Sequence, residues 1–232
     1  IMLLRTLTLL IIFSTYVYSD EIPIITITAP SKKPQSISTV GTSVTVLDEK
    51  FLSNSTEYFL GDVLSNSSTS ANFFQSGGHG TASAIQLRGM PKRYSTVYID
   101  GVKMSDPSSV SNDFDFNNIL TSQVSRVEIL KGNQSSIYGS GAIGGTINIT
   151  TKKGKPGLNK DINYLFGSHN THNFSTSISG GDISRKYFLG LQRFHTDGIS
   201  QMTHNDEKDR YRNNGLIASF SHKFSENLEL KF

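Results

Sequence analysis

The chain contains neither cysteine nor tryptophan. Without thiols it can form no disulfide and no thiolate metal site, which suits a bacterial protein facing the oxidising periplasm. Charge is sparse and nearly balanced, 22 Lys and Arg against 19 Asp and Glu, for a net +3. No basic stripe interleaved with aromatics is present, so nucleic acid is not an expected partner. Beyond the first twenty residues no apolar run reaches about 18 residues, so a membrane-spanning helix is excluded and any insertion must use strands. The histidines, His79, His169, His172, His195, His204 and His222, are dispersed and lack ligand spacing. No catalytic constellation emerges, and an enzyme is not expected. What the chain does have in abundance is serine, threonine, asparagine and glycine.

Residues 1–19 read as a secretory signal peptide. Arg5 supplies the positive region, Leu7 to Phe13 the apolar run, and Val17-Tyr18-Ser19 the cleavage geometry before Asp20. Residues 20–35 are an extended linker. Within them Ile24-Ile25-Thr26-Ile27-Thr28-Ala29 lies between Pro23 and Pro30, which block helix and limit pairing into a sheet. A short β-prone segment held free in this way can add a strand to a partner's sheet edge.

Residues 36–155 read as a compact α+β domain. Thr42 to Leu47 is a strand. Asp48 to Leu64 is expected to be one helix, capped by Ser53 or Ser55, with Tyr58, Phe59, Leu60, Val63 and Leu64 as its apolar face. Short strands follow at Ala84 to Leu87 and Thr96 to Ile99, the second closed by the turn signal Asp100-Gly101. Phe114 to Leu120 is expected to form a short helix, and Val124 to Leu130 and Thr146 to Thr150 supply the last strands. Gly139-Ser140-Gly141-Ala142-Ile143-Gly144 spells a literal dinucleotide-binding pattern. That fingerprint requires a helix after its glycines. The β-branched, period-two sequence Thr146-Ile147-Asn148-Ile149-Thr150 argues strand instead.

After Gly157 the pattern becomes dyad alternation. Ile162, Tyr164 and Phe166 alternate with polar neighbours, as do Phe174, Thr176 and Ile178. Tyr187, Leu189 and Leu191 follow, then Leu216, Ala218 and Phe220, and finally Leu228, Leu230 and Phe232. About ten residues of such alternation mark outer-membrane barrel strands. Residues 156–232 are therefore expected to begin an antiparallel transmembrane β-barrel, with tight connections at Gly180-Gly181-Asp182 and Ser225-Glu226-Asn227 and a long one from Thr196 to Asn214. A barrel wide enough to hold a plug needs about 22 strands. Only about five fit here, so the chain reads as truncated within the barrel.

Five blocks occur in the order of the plug of TonB-dependent outer-membrane receptors: Leu60-Gly61-Asp62-Val63-Leu64, Ile85-Gln86-Leu87-Arg88-Gly89, Val97-Tyr98-Ile99-Asp100-Gly101-Val102, Ser125-Arg126-Val127-Glu128-Ile129-Leu130-Lys131-Gly132 and Ile137-Tyr138-Gly139-Ser140-Gly141-Ala142-Ile143-Gly144-Gly145. The chain resembles that family over essentially its whole length. The resemblance implies a receptor in the outer membrane of a Gram-negative bacterium that imports a scarce nutrient, with outer-membrane lipid around it and the energising protein TonB as partner. It makes Ile24, Ile25, Thr26, Ile27, Thr28 and Ala29 the TonB box. It gives Arg88, Arg126 and Glu128 ionic contacts between plug and barrel wall.

Within the family the spacing from Gln75 to Val102 most resembles cobalamin (vitamin B12) receptors. That likeness implies substrate contacts at Ala82, Ala84, Pro91, Ser109 and Val110, and calcium ligands at Asp197, Glu207 and Asp209. A ferric siderophore or haem is the alternative substrate. A non-transporting adhesin or binding module that reuses the plug is the alternative class.

Overall fold

A computed structural model describes residues 26–27, 34–109, 114–204, 207–225 and 228–232. The signal-peptide segment and most of the linker lie outside these residues. Two short strands come first, β1 (Thr26–Ile27) and β2 (Gln35–Ser36), paired antiparallel with Thr26 opposite Ser36.

The first layered unit is a mixed sheet of β3 (Ser43–Leu47), β6 (Ser95–Ile99), β7 (Val102–Met104), β8 (Val124–Lys131) and β9 (Gly145–Thr151). Their spatial order is β3-β8-β9-β6-β7, and only the β6–β9 pair is parallel. A separate hairpin joins β4 (Ala71–Gln75) to β5 (Ser83–Leu87). The predicted Asp100-Gly101 turn closes β6 onto β7, with both residues at positive φ as a tight hairpin turn requires. β9 follows the glycine cluster directly as a strand, which removes the dinucleotide-binding geometry.

The predicted single helix is two. Asp48 caps α1 (Glu49–Asn54) by accepting from the Phe51 amide, and Ser55 ends it in extended backbone. The α2 helix (Leu60–Ser67) starts after Phe59. Between them the backbone has a long-range partner: Phe59 bridges Leu120, Leu60 N–H donates to the Ile119 carbonyl, and Thr121 N–H donates to the Tyr58 carbonyl. The same pairing explains why Phe114 to Leu120 is not helical. Its Asp115 carboxylate is also occupied, accepting from the Ser83 amide and hydroxyl and from the Asn117 amide.

The core lies between α2 and one face of the mixed sheet. Leu60, Val63 and Leu64 pack in one cluster with Ile85, Leu87, Val127, Ile129, Ile147 and Ile149. Each large side chain buried this way contributes roughly 1.5–3 kcal/mol. Gly61 lets α2 lie on β4, because a Cβ there would stand 2.4 Å from the Phe73 ring.

The second unit is a wall of five strands in sequence order: β10 (Gly157–Gly167), β11 (Thr171–Gly181), β12 (Arg185–Thr196), β13 (Tyr211–Ser225) and β14 (Leu228–Lys231). All neighbours are antiparallel. The alternation read from sequence resolves into two faces. Asn173, Ser179, Gln192, Phe194 and Thr196 are buried, while Phe174, Leu189, Leu191, Leu216 and Phe220 are exposed. The wall is not closed. No described helix is long and apolar enough to cross a membrane, a fact that does not bear on strands.

Candidate functional site

The β4–β5 hairpin ends in a glycine-rich loop, residues 76–82, pinned by its own backbone. Ser76 N–H donates to the Ala82 carbonyl at 3.0 Å, and Thr81 donates to the Gly78 carbonyl through both its amide and its hydroxyl. Gly80, at φ +85, lies flat against Tyr211, where a Cβ would stand 2.4 Å from the ring. His79 then enters an aromatic cluster. Its ring stacks on Phe59 at 4.8 Å and meets Phe194 edge-on at 5.4 Å, and Tyr211 lies 6.2 Å away. Burial holds the His79 imidazole below its ordinary pKa, so the neutral ring is favoured there.

Neutral polar contacts extend this seam between domain and wall. Tyr211 OH donates to the Asn117 carbonyl and to Asn118 Oδ1, Asn213 donates to the Asn118 carbonyl, and Ser122 Oγ donates to Gln192 Oε1. At the top of the seam a crevice of about 450 Å³ opens, lined by Tyr58, Gln75, His79, His169, Gln201 and Asp209 among others. That volume is within the usual range for small-molecule sites. The crevice lies beside the long 197–210 connection, whereas the tight turn at Asp182 closes the opposite end of the wall. The crevice thus opens at the end of the wall that carries the long connection.

The sequence-predicted residues fall in several places. Thr26 and Ile27 form β1, whereas Ile24, Ile25, Thr28 and Ala29 lie outside the described residues. Ala82 is exposed on the loop, Ala84 is buried within β5, Pro91 is exposed ahead of the turn Lys92–Tyr94, and Ser109 is half-buried in a turn. Val110 lies outside the described residues. None of the four described positions lines the crevice.

Arg126 and Glu128 meet each other, Nε to Oε1 at 2.9 Å, on one face of β8. This ion pair lies within the domain. Glu128 is nearly fully buried and shares its face with the Tyr98–Tyr138 ring pair, centroids 4.9 Å apart. Arg88 is exposed at a turn with φ 56.

The calcium ligands do not converge. The Asp197 carboxylate is approached by His195 at 3.5 Å, Arg210 at 3.4 Å and Lys208 at 3.8 Å, an environment already compensated by cations. Asp209 accepts from the Gln201 amide at 3.0 Å. Among the described residues no group of three or more His, Asp or Glu could hold a metal ion. Among the described residues, Asp197, Glu207 and Asp209 do not form such a group.

The aromatic seam was absent from the sequence reading. Its signal is Phe194, an apolar residue at the parity of Gln192 and Thr196 on the plug-facing side of β12.

A mixed-sheet domain is seated against the first strands of an open antiparallel wall. Residues 36–146, just under half of the chain, match the model of the TonB-dependent receptor plug domain. That stretch has a plug-type mixed sheet, and the antiparallel strands after it form a wall that is not closed.

The fold is shared with solved receptors. The ferripyoverdine receptor of the outer membrane of Pseudomonas aeruginosa is 17% identical, with a TM-score of 0.73 over 89% of this chain and 26% of its own. The ferric yersiniabactin uptake receptor FyuA from Yersinia pestis is 24% identical, with a TM-score of 0.62 over 82% of this chain and 30% of its own. The siderophore receptor PiuA from Acinetobacter baumannii is 21% identical, with a TM-score of 0.65 over 85% of this chain and 26% of its own. The chain thus spans about a quarter to a third of the length of these receptors.

Proposed function

We propose that this chain is the plug and first wall strands of a TonB-dependent receptor that imports a ferric siderophore. The observation that carries the reading is the plug domain, seated on wall strands so that an outward-opening crevice of about 450 Å³ forms between them. The substrate class is supported by the three receptors named above, each a siderophore receptor by name. Nothing comparable supports cobalamin. The described positions implied for that substrate include the buried Ala84 and do not line the crevice.

In this reading the ligand enters from the loop end and rests on the 76–82 loop, with Ala82 and Ser109 on neighbouring plug surface. Occupancy is transmitted through the seam of Phe59, His79, Phe194 and Tyr211 to the periplasmic side. The segment from Ile24 to Ala29 is then taken up by TonB through strand addition. The chain's own part is binding and gating, and energy comes from the partner.

The test is saturable binding of iron-labelled siderophores and of labelled cobalamin to outer membranes from cells producing the natural gene product. Saturable binding of a ferric siderophore, unaffected by excess cobalamin, is the expected result. Cobalamin binding in place of siderophore binding would overturn the substrate, and binding of neither would overturn the receptor reading.

A further inference from the structure

We propose that the receptor selects ferric chelates with no net negative charge, trihydroxamates bearing a free ammonium group above all, and rejects anionic tris-catecholates. The selecting surface is the crevice between plug and wall. The inference deepens the importer reading and rests on it.

Charge comes first. Among the described residues no lysine or arginine lines the crevice. The lining carboxylate, Asp209, accepts from the Gln201 amide at 3.0 Å and meets no cation among the described residues. The adjoining 197–210 connection carries four acids, Asp197, Asp206, Glu207 and Asp209, against two bases, Lys208 and Arg210. Both bases approach Asp197, at 3.8 and 3.4 Å. A further carboxylate, Asp115, stands behind the 76–82 loop and accepts from the Ser83 amide and hydroxyl. Burial lowers the pKa of His79, so its ring adds no charge at neutral pH. His169, in the turn between β10 and β11, offers at most one positive charge against this acidic surround.

The plug's own cations are remote. Arg88, Lys92 and Arg93 are exposed, yet none lines the crevice. They follow β5, whose five residues put about 17 Å of strand between them and the 76–82 loop. That is about two Debye lengths at physiological salt.

Hydrogen bonding points the same way. Gln75 Nε2 donates to the Gly78 carbonyl, and Thr171 Oγ1 donates to the Ser168 carbonyl at 2.6 Å. Thr196 Oγ1 is held between the Thr171 hydroxyl and the Gly198 amide. These lining donors are spent within the protein. What they leave for a ligand is acceptor oxygen, on Gln75 and Asp209, with neutral donors on Tyr58 and Gln201.

A ferric tris-catecholate presents three negative charges on oxygen. Entering here, it would shed water with no cation to replace it, and it would approach a like charge on Asp209. In a ferric trihydroxamate the three monoanionic groups balance the iron, so the chelate is neutral. A pendant ammonium then supplies the charged donor that Asp209 and Gln75 can accept. This is the ligand chemistry the crevice fits.

The test is competitive binding of iron-labelled chelates to outer membranes from cells producing the natural gene product. An ammonium-bearing trihydroxamate should bind about tenfold tighter than a tris-catecholate, or better. Its N-acetylated form should fall between the two. The gap should narrow as salt rises. Asp209→Asn, which keeps an acceptor for the Gln201 amide, should erase the advantage of the ammonium form over the acetylated one. Gln201→Arg should raise tris-catecholate affinity about tenfold. Equal or tighter binding of the tris-catecholate by the unaltered receptor would overturn the charge selection and leave the importer reading intact. So would an unchanged ammonium preference in an Asp209→Asn receptor that reaches the membrane. Binding of no ferric chelate at all would overturn the importer reading itself.

Discussion

In the plug, Ile129 and Ile147 face each other across β8 and β9 and are fully buried beneath α2. In the wall, Leu191 and Leu216 face each other across β12 and β13 in the same antiparallel way and stand 50% and 66% exposed. Both regions are alternating sheet, yet their apolar faces point toward opposite surroundings. The plug carries its own solvent-free interior, a helix laid on one sheet face. The wall's interior is the plug itself, so its inner face is polar where it meets plug backbone and amides, and its outer face is apolar, as lipid would require in the proposed receptor. Where the two meet, aromatic rings break the rule: Phe188 is buried at the same parity of β12, and Phe194, fully buried, turns its ring inward and joins Phe59, His79 and Tyr211 of β13.

Phe194 should be the most sensitive position. Phe194→Ala removes a fully buried ring from the seam and should cost about 3–5 kcal/mol of local stability. Proteolysis within the 76–82 loop of the membrane-embedded protein should become faster, while the plug core stays protected. Next comes a matched pair. Ile147→Ala should destabilise the plug by about 2–5 kcal/mol, because it opens a cavity in a packed core. Leu191→Ala should cost well under about 1 kcal/mol, since lipid chains refill the lost volume. Hydrogen exchange of plug and wall amides reads both, and equal costs would break the distinction between the two regions. Leu191→Arg sharpens it from the other side, with an expected cost of about 2–4 kcal/mol near the bilayer centre, measured as loss of inserted protein.

The smallest effect is a pH dependence. Burial depresses the folded-state pKa of His79 below its ordinary 6.5. Its stabilising contribution is present above the unfolded value and is lost as pH falls through the depressed folded one. Loop protection should therefore decline on acidification below about 6.5, and His79→Phe should flatten that decline.

Much of this was legible in the chain. Period-two alternation gave the wall strands and their outward face, because each such strand repeats a local rule. β8, β9 and the Asp100-Gly101 turn were legible for the same reason. The break between α1 and α2 was not, because Phe59 pairs with Leu120 across sixty residues and tertiary pairing overrides local helix preference. Strand β4 escaped notice because Phe74, one of its two aromatics, is left exposed. At the site, the glycine loop was visible as a place for close approach, but His79 read as one dispersed histidine among six. Only the fold brings it between Phe59 and Phe194.

The central claim is that plug and wall form a gated importer worked from the segment between Ile24 and Ala29. The most direct measurement compares binding and uptake of the labelled ligand in cells whose natural gene product lacks those six residues. The account predicts that surface binding persists while energised uptake is lost. Uptake at the level of the unaltered receptor would contradict it.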